Sequence, residues 1–407
     1  MKYQDFVDLK YKPKPSDLTC TFTLEPEGIS LKEAAGAVAA ESSIGTWTEL
    51  TTLKTYLEKL AAYVYSLEGN TAKIAYPIAL FEAGNMPNIL SSVAGNVFGL
   101  KALSNLRLKD IELPSDLTKT FHGPKYGISG IRKLLEVPER PLVGTIIKPK
   151  LGLKTMDHAR VAYEAWKGGC DVVKDDENLS SQEFNPFEER VSETLDCRDQ
   201  AEAETGERKV YMANITAETS GMLKRAEFVQ DHGGEYVMVD ILTCGWSALQ
   251  TLRDQDFKLV IHAHRAGHAA FTKNPKHGIA MRVTAKVARI IGVDQLHVGT
   301  VVGKMSETKE EVLENIDALK MAMHGVNQVM PVASGGLHPR LIPALIETFG
   351  KDVIIQAGGG IHGHKDGTIA GAMAMRQAVD ATLKGTRLEE YAKTHKELQA
   401  SLEMWKA

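Results

Sequence analysis

Gly144-Thr-Ile-Ile-Lys148, Met156-Asp-His-Ala-Arg-Val-Ala-Tyr-Glu-Ala-Trp-Lys167 and Asp171-Val-Val-Lys174 follow one another as a β-rich run, a helical pattern and a second β-rich run. The middle segment repeats its apolar residues near the 3.6-residue helical period, and the flanking runs are short and apolar, as in strands covered on both faces. Strand, crossover helix and strand form a parallel unit. Further candidate strands fall at 209–214, 236–240, 259–262, 295–298, 330–333 and 353–357, and each is followed by a helix candidate, among them 222–230, 309–323 and 370–383. Eight such units over ~240 residues predict an α/β fold of the (β/α)8 TIM-barrel type.

Working outward, the residues before about 140 lack this rhythm. Helix-like segments at 30–40 and 90–97 mix with strand-like ones at 19–24 and 71–77, which predicts a smaller N-terminal α+β domain over 1–140. Glu136-Val-Pro-Glu-Arg-Pro141 supplies a proline-punctuated junction. The catalytic barrel is expected over 141–385 and a helical extension over 386–407, with one amphipathic helix at 388–405. A chain of 407 residues agrees with more than one domain at ~150 residues each.

Composition narrows the function classes. With 43% hydrophobic and 25% charged residues the chain is globular. Its 48 basic and 52 acidic side chains leave a net charge of −4, which speaks against a nucleic-acid partner or an anionic-membrane surface, so an anionic ligand must be met locally. Cys20, Cys170, Cys197 and Cys244 stand singly, without a CxxC pair, which fits a reducing cytoplasm. No signal-like N-terminus and no run of ~18 apolar residues is found, so no membrane association is expected.

Barrel chemistry collects at the C-terminal ends of the strands. Those ends carry Lys148-Pro-Lys150, Lys174-Asp-Asp176-Glu177, His262-Ala-His264-Arg265, His297 leading to Gly303-Lys304, Ser334-Gly335-Gly336 and Gly358-Gly359-Gly360. Asp176 and Glu177 offer the oxygen ligands that a hard divalent ion prefers, and period 2 puts Lys174 and Asp176 on one face. An unmodified Lys174 would bring an ammonium that repels the metal. On composition alone, a KDDE string is more readily an ordinary acidic turn with surface salt bridges. Lys148, Lys150, Arg265 and Lys304 are costly to gather unless an anion joins them, which points to a phosphorylated substrate. The glycine runs let backbone N–H groups approach phosphate oxygens, although such loops also arise wherever a positive φ is needed. Two phosphate-like sites across the barrel mouth would suit a bisphosphate.

Two other motifs fail. Gly299-Thr-Val-Val-Gly303-Lys304 is one spacer short of a P-loop and has Met305 where Ser or Thr should hold the metal. His262-x-His264 resembles the metal pair of barrel amidohydrolases, but there the pair lies on the first strand, whereas here it lies on the fifth. His262 and His268 read as hydrogen-bonded wall residues, His264 and His297 as functional ones.

Taken together, these motifs resemble the large subunit of ribulose-1,5-bisphosphate carboxylase/oxygenase, RuBisCO. Glu41-Ser-Ser-Ile-Gly-Thr-Trp47-Thr, Gly95-Asn96-Val-Phe-Gly, Lys148-Pro-Lys-Leu-Gly-Leu, Gly168-Gly-Cys-Asp-Val-Val-Lys174-Asp-Asp-Glu-Asn, His262-Ala-His-Arg-Ala-Gly-His268, His297-Val-Gly-Thr-Val-Val-Gly-Lys304 and Ser334-Gly-Gly carry the likeness over nearly the whole chain. Phe187-Glu-Glu-Arg190 and Ala392-Lys-Thr-His-Lys396-Glu-Leu give it the flavour of the archaeal form III group.

The resemblance implies a Mg²⁺-dependent carbon-dioxide-fixing lyase. Lys174 is expected to capture CO₂ as a carbamate and to join Asp176 and Glu177 around Mg²⁺. Lys148, assisted by Lys150, would move protons at the substrate, and His264 would handle them during hydration and cleavage. Arg265 and His297 would hold one phosphate of the sugar bisphosphate. Thr46, Trp47, Lys304, Gly336, Gly358 and Gly359 would hold the other, with Gly335 beside them. Ser334 would contact the substrate and Lys304 would polarise CO₂. Glu41 and Asn96 are expected to complete the neighbouring subunit's site, which implies a homodimer with shared active sites, open to a higher assembly of dimers. A route from nucleotide-derived ribose (AMP metabolism) is implied rather than photosynthesis.

Downstream of Lys304 the sequence departs from the pattern. Met305-Ser306-Glu307 replaces the usual apolar-Glu-Gly continuation, the segment to Ser334 is shortened, and Gly267 stands where Met is common. Such trimming is shared with RuBisCO-like proteins that enolise or isomerise other sugar phosphates without carboxylating them, so that activity is the alternative. A non-enzymatic sugar-phosphate binder would leave Lys148, Lys174 and Lys304 without a use.

Overall fold

The computed structural model describes residues 2–303 and 307–405. They fall into two compact units, one drawn from Met1–His122, Gly267–Ile291 and Ala322–Gly325, the other from Gly123–Ala266, Gly292–Met321 and Val326–Ala407. Among the described residues no helix is long and apolar enough to cross a membrane.

The first unit is a five-stranded sheet with helices. Its strands are β1 (Leu18–Pro26), β2 (Tyr63–Glu68), β3 (Thr71–Tyr76), β4 (Leu103–Glu112) and the two-residue β10 (Gly278–Ile279), in the order β10-β4-β1-β3-β2. Along β1, buried and half-buried residues alternate, the period of a strand with one face on a core. The Ala-rich helix Leu31–Glu41 is capped by Ser30, whose hydroxyl accepts from the Glu33 amide. The helix expected at 90–97 instead spans Met86–Val93, because Asn85 caps it through the Asn88 amide; Asn96 then opens a 3₁₀ turn, Asn96–Gly99. Helix Met281–Ile291 is buried at every residue but Arg282, and its Lys286 ammonium is neutralised by Asp110 at 2.6 Å.

The second unit is the barrel. Strands β5 (Leu142–Ile146), β6 (Val172–Lys174), β7 (Val210–Asn214), β8 (Tyr236–Asp240), β9 (Val260–His264), β11 (Gln295–His297), β12 (Met330–Ser334) and β13 (Ile354–Gln356) close into a parallel ring in chain order. All eight strands coincide with the runs marked in the sequence to within a few residues.

Helix Gly127–Leu135 lies ahead of the proline junction, yet it belongs to this unit. Its Ile131 and Leu135, with Val137, form one core with Leu142, Val172, Val210, Tyr236, Val260, Met330 and Ile354, the first residues of seven strands. Apolar burial thus closes the N-terminal end of the ring. Asp294 ties the arrangement down by accepting from the Tyr126 amide at 2.7 Å and from Arg253 at 2.7 Å. The boundary therefore falls at His122/Gly123 rather than at 140, and residues 267–291 join the first unit.

The helix expected at 309–323 ends at Lys320, where Met321 turns to an extended conformation. The helix expected at 388–405 is broken into Leu388–Tyr391, a 3₁₀ turn at Ala392–Thr394 and Lys396–Met404. The His395 ring accounts for the break: it stacks on Tyr391, and its Nδ1 bonds the Tyr391 carbonyl at 2.8 Å, the acceptor that the helical His395 amide would have used.

Candidate active site

The turn after β6 separates its side chains by strand alternation. Lys174 points into the ring and is fully buried; its Nζ donates to the Asp175 carbonyl at 2.7 Å and lies 3.1 Å from Met238 Sδ and 3.4 Å from Glu177 Oε2. Burial pushes its pKa down, against the opposing pull of Glu177, Asp176 and Asp240, so the neutral amine is brought closer to reach.

Asp175 points the other way, into the layer between strands and helices. It accepts from Tyr211 Oη at 2.7 Å, the Asn214 amide at 2.9 Å, His158 Nε2 at 3.0 Å and Arg190 Nε at 3.2 Å. Burial would raise its pKa, but the Arg190 charge and the hydrogen bonds outweigh it and hold the carboxyl well below the usual range. Asp175 is thus a clamp for the turn that carries the next two acids.

Asp176 returns inward, with Oδ2 2.7 Å from Lys148 Nζ and Oδ1 accepting from Asn178 Nδ2 at 3.0 Å. Glu177 also turns inward, 3.6 Å from His264 Nε2. Burial would raise both pKa values; the Lys148 and Asn178 bonds lower that of Asp176, and the Lys174 and His264 charges lower that of Glu177. Among the described residues no three His, Cys, Asp or Glu side chains cluster as a metal site. Asp176 and Glu177 are thus two inward carboxylates, and the buried Lys174 amine lies beside them, 3.4 Å from Glu177 Oε2.

His264, at the end of β9, is oriented by Asp240 at the end of β8: Nδ1 lies 2.7 Å from Oδ1, and since a carboxylate only accepts, Nδ1 carries the proton. Nε2 is left facing the acids. The rings of His264 and His297 are 4.8 Å apart, which joins this group to a second one. There, Ser334 Oγ, His297, His262 and Gln295 form a chain with contacts of 2.8, 2.9 and 2.8 Å. With Gln295 Oε1 as the terminal acceptor, each ring donates toward Gln295 and Ser334 donates to His297. Burial pushes His262 down to about 3 and His297 well below the ordinary histidine value, so both rings are neutral. His262 is the satisfied wall residue expected from sequence, and it is also what orients His297.

The remaining strand ends bring backbone together. Gly303 has φ +92°, and a Cβ there would lie 2.4 Å from the Gly335 carbonyl oxygen, so the loops after β11 and β12 touch. A Cβ on Gly358 would meet Lys148 Cε at 3.1 Å, which places the loop after β13 against the proton-transfer candidate. Gly336 and Gly359 are exposed, and the short helix Gly359–His362 begins there. Its His362 bonds Thr145 Oγ1 at 2.9 Å and the Ile146 carbonyl at 3.1 Å, and burial pushes it down to about 4.

The barrel thus gathers Lys148, Lys174, Asp176, Glu177, His264, His297 and Ser334, with Arg265 directly after His264 and the glycine loops at other strand ends; Lys150 is exposed. Glu41, Thr46, Trp47 and Asn96 lie in the other unit: Glu41 accepts from Tyr3 Oη at 2.8 Å, Trp47 is 81% exposed and Asn96 is exposed. Lys304 lies outside the described residues. Sequence reasoning passed over Asp175, Asp240, Gln295 and His362 as functional residues. Asp240 alone carried a usable signal, as an acid at a strand's C-terminal end.

The chain is similar over its whole length to known proteins. The family model for the ribulose bisphosphate carboxylase large chain, catalytic domain, matches residues 127–405, and that for its N-terminal domain matches residues 5–117. The chain is 49% identical to the ribulose bisphosphate carboxylase of Methanocaldococcus jannaschii, over 99% of this chain and 100% of that protein. It is 53% identical to that of Pyrococcus furiosus, over 99% and 97%. The octameric ribulose-1,5-bisphosphate carboxylase/oxygenase of Pyrococcus horikoshii OT3, solved with sulfate ion, superposes with a TM-score of 0.97 at 52% identity, covering 100% of this chain and 98% of that one. The dimeric archaeal Rubisco of Hyperthermus butylicus does so with 0.92 at 46%, covering 99% of each. On these grounds the chain belongs to the ribulose bisphosphate carboxylase large-chain family.

Proposed function

We propose that the chain is a form III-like ribulose-1,5-bisphosphate carboxylase that forms two molecules of 3-phosphoglycerate from the bisphosphate, CO₂ and water. The observation that carries this reading is the fully buried amine of Lys174 beside the two inward carboxylates of Asp176 and Glu177. A neutral amine adds CO₂ to give a carbamate anion and one released proton, which replaces the unwanted cation by an oxygen donor. Lys174, Asp176 and Glu177 would then hold Mg²⁺. When bound, the ion supplies Lewis-acid polarisation of the sugar carbonyl and stabilises the enediolate charge.

The chain's own residues supply the rest. Lys148, held 2.7 Å from Asp176, is placed to take and return a proton at the substrate. His264 keeps its Nδ1 proton on Asp240 and offers Nε2 as the acceptor during hydration and cleavage. Arg265 and His297 are assigned one phosphate, and Ser334 a contact to the sugar-phosphate. Gly336, Gly358 and Gly359 are assigned the other, with Gly335 beside them and with Thr46, Trp47 and Lys304. Lys150 assists Lys148. Glu41 and Asn96 are assigned to the neighbouring subunit's site, so the functional unit is a homodimer; the dimeric and octameric relatives support an assembly of that kind. Four free cysteines fit a cytoplasmic setting.

Purified protein given Mg²⁺, labelled bicarbonate and ribulose bisphosphate should incorporate label into 3-phosphoglycerate. Incorporation no greater than in Lys174→Ala would overturn the proposal. Solvent deuterium entering the sugar without carboxylated product would favour the enolase reading, which the departure after Lys304 supports.

A further inference from the structure

Glu307 stands where the family pattern continues with glycine, and the structure gives it a definite partner. Its Oε1 accepts from Arg265 Nη2 at 2.5 Å, with only 12% of the Glu307 side chain and 6% of the Arg265 side chain exposed. The backbone is shaped around the pair. Gly299 has φ +92°, and a Cβ there would lie 3.1 Å from Arg265 Nη2 and 3.2 Å from Glu307 Cδ, so a side chain at this position would press on the pair. Arg265 Nη1, by contrast, meets no hydrogen-bond partner among the described residues. The guanidinium is therefore half satisfied by a carboxylate, with its other edge still to be paired.

A carboxylate oxygen and a phosphate oxygen are equivalent acceptors for a guanidinium fork, so both cannot hold the same Nη2 edge at full strength. We propose that Glu307 is an internal competitor for the anion seat of Arg265, a carboxylate that holds the guanidinium until a phosphate displaces it. The proposal rests on the assignment of Arg265 to substrate phosphate. It makes Glu307 a specificity-determining residue. A phosphate group near −2 outbids a single carboxylate charge for a buried cation, whereas a neutral sugar or a monocarboxylate does not. Affinity for phosphate esters is thereby lowered in exchange for an arginine that is never left buried without a counter-charge.

The test is titration of the full-length protein with inorganic phosphate at fixed ionic strength, comparing wild type, Glu307→Gln, Glu307→Gly and Arg265→Met, each checked for native unfolding behaviour. Phosphate binding that is lost in Arg265→Met should tighten by about tenfold in both Glu307 variants. Glu307→Gly restores the residue usual at this position, so it guards against a defect peculiar to glutamine. Equal or weaker binding in both Glu307 variants, with the Arg265 dependence intact, would overturn the competitor role alone. Binding that never depends on Arg265 would overturn both the competitor role and the phosphate assignment beneath it.

Discussion

Replacing Asp175 by Asn changes one oxygen for a nitrogen in a side chain that is completely buried. The Arg190 guanidinium, also completely buried, would lose its counter-charge at 3.2 Å, and the Tyr211 hydroxyl and Asn214 amide would face an amide that satisfies them less well. Removing one partner of a buried ion pair costs about 3–5 kcal/mol, because the other charge is left uncompensated. Asp175→Asn should therefore lower the unfolding free energy by about that amount in urea titrations near pH 7. In an Arg190→Met background the same substitution should cost less, by an interaction energy of about 1–3 kcal/mol.

The pH dependence follows from the depressed pKa of Asp175. A carboxyl held below its unfolded value contributes fully above about pH 4 and loses that contribution as the pH falls through the folded value, so the gap between wild type and variant should close in acid. A cost below about 1 kcal/mol, or additivity with Arg190→Met, would refute the clamp.

Other expectations use different features. Lys174→Met should stabilise the chain at pH 7, since a lysine whose folded pKa is pushed down by burial costs stability below that value; the gain should vanish as the pH rises toward about 10.4, as denaturant midpoints at several pH values would show. Gly360→Ala places a Cβ 2.0 Å from the Leu337 carbonyl oxygen. It should destabilise by about 1–3 kcal/mol in urea titrations, with a larger loss in bisphosphate affinity than in the turnover of bound substrate.

The barrel was legible because each parallel strand, buried on both faces, writes itself as a short apolar run, and because the ring repeats one unit. The metal turn was legible for the same reason: alternation alone places Lys174 and Asp176 inward, and the structure adds that Glu177 follows. What sequence could not show is which partners cross the fold. Asp175 is one letter in an acidic string until His158, Arg190, Tyr211 and Asn214 converge on it from separate elements. Gln295 reads as a polar residue in a strand until His262 lies 2.8 Å away. The boundary expected at 140 sets residues 127–135 apart from the barrel core they join, because prolines mark a turn but do not say which core the preceding segment packs into. The break at His395 was hidden because competition between a ring nitrogen and a backbone amide leaves no periodic trace.

The account stands on Lys174 acting as a CO₂-capturing amine. Wild-type protein incubated with Mg²⁺ and ¹³C-bicarbonate should give a carbamate resonance in its ¹³C NMR spectrum that is missing from Lys174→Met. Spectra that do not differ between the two proteins, at bicarbonate and Mg²⁺ levels high enough to saturate the site, would contradict it.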